Sequence, residues 1–347
     1  MGIGLDHIPD FSSDVQRSEY WAARENDSIV VVVRPGMAVP TGLPDRLSLR
    51  AAFGGRLVHK VGDARLGVDD DVFLVTNART AVQVSGTAEY GCTYLSLHFS
   101  EPTLRRCLQK FPAAAIGQRE TVGFLERLRP HEPGIAPLIR AFASGAALTA
   151  PDDRAAWERR AEELLLALLA ARRRDTEHVA SLAHARERTR HEIYRRVYES
   201  TDYLLSHYDE PLQLKQLADV ACLAKFHYLR MFVAVHGVTP MEDLRCKRVA
   251  VASRLLLADA APLGAIAKRV GVADRSTLLR LFIDYRATTP DQYRRDHASR
   301  GPESVPDNLL LDLVSARAQS KTVATPAPAP ALAAEPEQGY PRFATAD

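Results

Sequence analysis

The sequence predicts a two-part α+β protein: an N-terminal β-barrel or sandwich with following helices, then an all-α C-terminal domain with two helix-turn-helix units. Three observations carry that reading. Short β-branched and alternating runs split by turn residues fill positions 20 to about 100, and after Pro102 the apolar spacing becomes helical. A short pattern also occurs twice. Arg230-Met231-Phe232 is followed by Gly237-Val238-Thr239-Pro240, and Arg280-Leu281-Phe282 by Ala287-Thr288-Thr289-Pro290, with the same internal spacing. Such a repeat marks one supersecondary unit used twice.

In the N-terminal part, Ile29–Val33 is a β-branched run closed by Pro35-Gly36. Leu47–Arg50, Arg56–His59, Val72–Val75, Ala81–Ser85 and Thr93–Phe99 follow, with Gly54-Gly55, Gly62-Asp63, Asn77 and Gly86 marking turns. Many short strands of this kind point to a sandwich or small barrel. In the last of them Tyr94, Ser96 and His98 alternate with Leu95, Leu97 and Phe99, which predicts one buried face. Helices are expected over Thr103–Gln109, Gly117–Leu128, Pro137–Ser144 and Asp152–Arg174. The last carries the richest apolar stripe, Trp157, Ala161, Leu164, Leu165, Leu168 and Leu169. That stripe packs either on its own domain or against a second subunit, and a homodimer is expected. Asp175–Ala185, polar and rich in small residues, reads as the connection between domains.

A helix is expected from Arg188 to His207. The first unit then runs from Leu212 to Val235, with Leu214, Leu217, Val220 and Ala221 inward and Ala218 small enough for helices to cross closely. After a turn at Cys222–Ala224 its second helix starts near Lys225, with Phe232 in the core. In the second unit Leu263, Ile266, Ala267 and Val270 play the inward part. Gly271 suits a left-handed turn where the helix ends, and a helix follows from Arg275. Pro240 to Leu257 reads as a long helix that fixes the separation of the units. Ala224 offers no capping oxygen. Ala287 costs little unless its φ is positive, where its side chain adds strain.

Two helices able to enter a groove imply DNA recognition. From Arg186 to Arg300 there are 20 Lys and Arg against 14 Asp and Glu, a net of +6 that leaves −4 for the rest. A basic module joined to a mildly acidic one fits a nucleic-acid reader. Cys92, Cys107, Cys222 and Cys246 form no CxxC pair, so neither a zinc nor a thiol-redox signature is present. The longest apolar windows, such as Leu164–Ala171, fall far below the ~20 residues of a membrane span. With no basic segment leading into an apolar run at the N-terminus, a soluble cytoplasmic protein without membrane contact is expected. There is no phosphate loop, Gly-x-Ser-x-Gly or HExxH. His59 and His98 lie far apart in the chain, so no metal, cofactor or catalytic residue is expected, and an enzyme is disfavoured.

The arrangement resembles the AraC/XylS family, the transcriptional regulators related to the arabinose and xylose-pathway activators, whose DNA-binding module holds two helix-turn-helix units. The resemblance covers 196–297 through Leu217-Ala218, Arg230-x-Phe232, Gly237, Arg248, Ala252, Leu255-Leu256, Ile266-Ala267, Gly271, Arg280-x-Phe282, Pro290 and Tyr293-Arg294. It implies that the starts of both second helices meet bases in successive major grooves of double-stranded DNA. Those positions are Lys225, Phe226, Leu229 and Arg230 in the first unit, and Arg275, Ser276, Thr277 and Arg280 in the second. Arg and Lys donate to guanine O6 and N7, Ser and Thr bond bases or phosphates, and Phe meets a thymine methyl. Leu229 stands where members often carry a polar reader, and Val272 and Ala287 replace a common Phe and Gly.

The resemblance further implies a cupin-like N-terminal domain, a small-molecule effector, RNA polymerase as a partner and activation of transcription. The alternative is an N-terminal domain that only dimerises and binds no ligand. The chain would divide into an effector-binding or dimerisation domain over 1–175, a linker and helix start over 176–195, the DNA-binding domain over 196–300, and a disordered Pro/Ala-rich tail over 301–347, in which the leucines of Asn308–Val314 are expected to hold one turn against the body.

Overall fold

The computed structural model describes residues 3–4, 14–37, 39, 42–85, 92–110, 123–144, 154–182, 187–258, 260–297, 305–306 and 308–322. The strands are β1 (Ile3–Gly4), β2 (Ile29–Val33), β3 (Ser48–Phe53), β4 (Leu57–Val61), β5 (Ala64–Val68), β6 (Val72–Thr76), β7 (Val82–Ser85), β8 (Thr93–His98) and β9 (Leu128–Pro130). One sheet has the order β1-β2-β8-β3-β6-β9 and the other β5-β4-β7. Antiparallel pairing sets Ile29 and Ser48 on either side of His98, and Val33 and Ala52 on either side of Tyr94.

The two sheets share a core: Ile29, Val31, Val33, Ala52, Leu74 and Tyr94 of the large sheet cluster with Leu57, Leu66 and Val68 of the small one. The other face of the large sheet, Val30, Val32, Leu49, Ala51, Leu95 and Leu97, is covered by three helices. These are α2 (Glu101–Gln109), α3 (Ala136–Ala143) and α4 (Arg154–Ser181), which follow α1 (Asp14–Ala22). Both faces of β8 are therefore buried, where one was expected: Tyr94, Ser96 and His98 are 0% exposed.

Other expectations shift for identifiable reasons. β5 was hidden because Gly67 interrupts Ala-Arg-Leu-Gly-Val, yet its N–H donates to Ser206 Oγ at 2.9 Å. The helix expected over Gly117–Leu128 is replaced, over residues 123–127, by extended chain leading into β9, and 117–122 lie outside the described residues. α4 runs past Arg174 to Ser181. Asp175 is no linker residue, since its carboxylate accepts from Arg127 (2.8 Å) and Arg129 (2.7 Å). Trp157, Leu164, Leu165 and Leu168 are 0–3% exposed in the domain's own core, so they offer no surface to a second subunit.

The remaining helices are α5 (Glu187–Ser206), α6 (Leu214–Val220), α7 (Lys225–His236), α8 (Pro240–Ala258), α9 (Leu263–Arg269), α10 (Arg275–Arg286), α11 (Pro290–His297) and α12 (Leu309–Thr322). α12 falls in the stretch expected to be a disordered tail. Leu309, Leu310 and Leu313 bury one face of it in the helical core, which that short apolar run makes possible. Residues 323–347 lie outside the described residues.

The two halves are bolted together by charge. The turn between β5 and β6 is Asp69-Asp70-Asp71, and Lys247 of α8 is 0% exposed against it. Its Nζ donates to both carboxylate oxygens of Asp69 at 2.7 Å and to Asp71 at 2.9 Å. Arg254, two turns further along α8, donates to the other oxygen of Asp71. Burial alone would raise the Asp71 pKa, but Arg254 and Lys247 hold it below the usual carboxylate range. A carboxylate so depressed stabilises above its unfolded pKa, near ~4, and the gain is lost as pH falls through its folded value. Asp71→Asn leaves Lys247 and Arg254 undercompensated, a change worth ~3–5 kcal/mol for buried pairs. The expected outcome is a loss of that order in chemical denaturation at pH 7, shrinking as pH drops below ~4. An equal gap at both pH values contradicts the assignment.

Candidate nucleic-acid interface

Each unit is a scaffold helix, a turn and a second helix, and the sequence repeat maps onto them. Leu217 and Ala218 of α6, and Ile266 and Ala267 of α9, are buried at the crossing. Past the crossing the turns take left-handed residues, Cys222 at φ 50° and Gly271 at φ 69°. The backbone N–H groups of Leu223 and Val272 then donate to the carbonyls of Ala218 (3.0 Å) and Ala267 (2.9 Å). Gly271 is required twice over: a Cβ there would lie 2.6 Å from the Asp209 carbonyl oxygen.

The second helices start where expected, at Lys225 and Arg275. Ala224 gives α7 no side-chain cap, whereas Asp274 accepts from the Thr277 N–H at 2.7 Å. That backbone contact holds the Asp274 carboxyl below its ordinary range. α10 ends on Ala287 at φ 52°, so the strained alternative applies there. α7 ends on Gly237 at φ 73°, where no strain arises.

On the buried side of α7 lie Tyr228, Phe232 and Val235, and on that of α10 Leu278 and Phe282. Tyr228 hydrogen-bonds Ser200 Oγ at 2.8 Å. His236 is half-buried, bonded to Thr201 Oγ1 at 2.9 Å and pushed by desolvation down to about 3. The opposite side collects the expected readers. Lys225, Arg230, Arg275, Ser276 and Arg280 are exposed, and Leu229 and Thr277 are half-buried. Phe226 is 80% exposed, so it is no core residue. Among the described residues no hydrogen bond or ion pair engages the side chains of Lys225, Arg230, Arg275 or Arg280. Leu279, the register partner of Leu229, is half-buried on the same side; the repeat itself carried that signal.

Several other cations of the domain are occupied. Arg248 donates to the carbonyls of Tyr208 and Glu210, and Arg294 to those of Leu256 and Ala261. Arg195 and Arg196 on α5 pair with Glu192, which they hold down at about 2. Lys225, Arg230, Arg275 and Arg280 thus present donors without a hydrogen-bond partner among the described residues, on the first two turns of two helices that each pack on α8. Chemically, such a pair of helices can present guanidinium and ammonium donors to base edges and phosphates.

This is the architecture of a helix-turn-helix domain, and residues 217–296 match the family model described as a helix-turn-helix domain. Over 95 residues the chain is 30% identical to the bifunctional transcriptional activator/DNA repair enzyme AdaA of Bacillus subtilis, covering 27% of this chain and 45% of that protein. Over 93 residues it is 28% identical to the MmsAB operon regulatory protein of Pseudomonas aeruginosa, covering 27% and 30%. Among solved structures, the DNA-binding domain of AdpA in complex with a target DNA is 26% identical over 31% of this chain and 98% of that one, with a TM-score of 0.30. The chain spans less than half the length of the curated relatives it matches.

If Arg275 and Arg280 reach base edges, each substitution to Ala costs ~1–3 kcal/mol on a selected operator and far less on a scrambled duplex. Titration of both duplexes at one fixed salt concentration measures the difference. Equal losses on the two would make these side chains positioning contacts to phosphate.

Proposed function

We propose that this chain is a sequence-specific regulator of transcription whose α7 and α10 enter successive major grooves on one face of double-stranded DNA. The observation that carries the reading is the pair of unengaged first turns held by a single connecting helix. α8 has 19 residues, a length of roughly 28 Å at helical rise, comparable with the ~34 Å between groove faces one helical turn apart. The similarity to AdaA, by name a transcriptional activator and DNA repair enzyme, supports activation, and contact with RNA polymerase is part of the same proposal. A homodimer on the operator would double the groove contacts, through a surface other than the α4 stripe. No helix of the described residues is long and apolar enough to cross a membrane.

The 347-residue chain is expected to bind a selected duplex with an affinity that falls steeply with salt, since phosphate neutralisation releases counterions. Fluorescence anisotropy from 50 to 200 mM salt should show a loss of about a hundredfold or more. Weak binding that ignores salt would remove the DNA-binding reading.

The N-terminal domain, on this proposal, takes a small anionic effector between its sheets. Arg50 is 6% exposed there, and its hydrogen bonds go to the hydroxyls of Ser48 and Thr76. Among the described residues no carboxylate pairs with it. Burial, with the Arg50 charge second, pushes His59 down to about 3 and keeps that ring neutral. A buried guanidinium without an acid is costly, which favours a ligand site over a domain that only dimerises. Arg50→Met is expected to stabilise the free protein by ~1 kcal/mol or more and to abolish the rise in melting temperature that benzoate or a longer carboxylate gives the wild type. A destabilised variant, or an unchanged response to carboxylates, would assign Arg50 to the scaffold.

A further inference from the structure

The last described helix, α12, lies beyond the stretch that matches the helix-turn-helix family, yet it touches both units. Its first half is anchored. Leu309, Leu310 and Leu313 are buried in the core that α8 shares with α7 and α10, and α12 packs along α8. Just ahead of it, the Pro306 carbonyl accepts from Arg254 at 3.3 Å, so the helix begins beside the ionic bolt to the N-terminal domain.

Its second half reaches the C-terminal ends of the two second helices. Ala318 lies against Gly237, the left-handed residue that closes α7, so closely that a Cβ on Gly237 would come within 3.0 Å of Ala318 Cβ. One residue earlier, Arg317 donates from Nη2 to the carbonyl of Asp284 at 2.7 Å, and its guanidinium stands 3.9 Å from the centre of the Tyr285 ring. Asp284 and Tyr285 belong to the last turn of α10, just before Ala287 closes it. Consecutive side chains of one helix thus hold the equivalent ends of both second helices. These ends lie a full helix length from Lys225 and Arg275, so α12 meets the units at the end opposite the exposed first turns.

We infer that α12 is a brace that fixes α7 against α10 and thereby sets the spacing between the two DNA contacts, with Arg317 as its positioning residue. This rests on the proposal that both units enter DNA. Each second helix packs on α8, and the turn ahead of α10 rests at Gly271 on the Tyr208–Asp209 backbone. α12 adds the contact that spans the pair at the opposite ends of the two helices. The brace touches no base, so it governs the distance between the two readings and not the identity of the bases read.

The test uses the full chain, a chain ending at Pro306, and the double variant Arg317→Ala/Ala318→Gln, which keeps α12 but removes its grip. Each is titrated against a selected operator and against the same operator with one base pair inserted between the two contact sites. The insertion turns the second site by roughly 34°. The full chain should lose about tenfold or more in affinity on the inserted duplex, a cost of the order found for a disrupted contact. Both altered chains should bind the operator more weakly and bind the two duplexes within about threefold of each other, as a pivoting pair can follow either spacing. Circular dichroism checks that they stay folded. If the double variant, folded, keeps the tenfold discrimination, the brace is overturned while DNA binding stands. If the full chain binds no duplex, the DNA reading falls and the brace falls with it.

Discussion

Everything in this molecule is arranged around one buried ammonium. Lys247 sits on the helix that separates the two helix-turn-helix units, yet its three donors are satisfied by aspartates of the N-terminal sandwich. A buried lysine is tolerated only when its charge is matched and its hydrogen bonds are made. The acidic turn therefore has one acceptable position on α8, and the sandwich cannot slide along the helix without stranding a charge. Hydrophobic contact alone would allow such sliding, because it has no preferred direction. Register between the domains is thus a matter of electrostatics. The Leu128 N–H bonded to Asp202 at 2.9 Å and the Gly67 N–H bonded to Ser206 extend the same control to α5.

The two units obey one plan and differ where their surroundings differ. Gly271 has the backbone of Tyr208 and Asp209 packed onto it, so no side chain fits, whereas Cys222 takes the same left-handed turn in the open. At the far ends the pattern reverses. Gly237 is pressed by Ala318, while Ala287 is exposed and accepts its strain. Close approach of a neighbour, more than the turn itself, decides where glycine is indispensable here. The N-caps follow a similar logic. Asp274 caps α10 in solvent, and Ala224 leaves the first N–H groups of α7 without a side-chain partner, which makes that helix start a donor surface for a phosphate or base.

Much of this was legible in the residues because the signals were local. The repeat of Arg-x-Phe with its trailing Pro located both second helices, near Lys225 and Arg275, and the alternation in Thr93–Phe99 identified β8. What the sequence could not disclose depended on partners far along the chain. The polar face of β8 was assigned to solvent because Ser96 and His98 are polar; a second sheet covers it. Asp175 looked like linker until Arg127 and Arg129 were beside it. The stripe of α4 had two rival uses, and the outer face of the large sheet claims it. Nothing in the sequence near Asp69–Asp71 or near Lys247 marks the two as partners, since they stand 176 to 178 residues apart. α12 was legible in part: the leucines over Asn308–Val314 invite one turn against the body, which forms, while the Ala- and Pro-rich stretch that follows hid the rest of the helix.

The chain also offers a physical route from the sandwich interior to the spacing of the reader helices. Arg50 donates to Thr76, the last residue of β6, and Asp71 immediately precedes the first residue of that strand. β6 is fully buried and paired on both sides, by β3 and β9, which ties its position to both neighbours. A ligand that draws the Arg50 guanidinium away from Thr76 would bias the position of β6, and with it the aspartates that grip α8. Such a ligand acts only through its differential affinity for the two positions. Full conversion of a two-state element from one extreme to the other requires about 5.5 kcal/mol, which a charge-assisted pair with a desolvated guanidinium can supply in large part. A cleft of about 830 Å³ is lined by Asp69, Asp70, Asp71 and Arg254 beside the bolt. Because the same helix carries the bolt on one side and α12 on another, a shift there would alter the distance between two DNA contacts without changing either one.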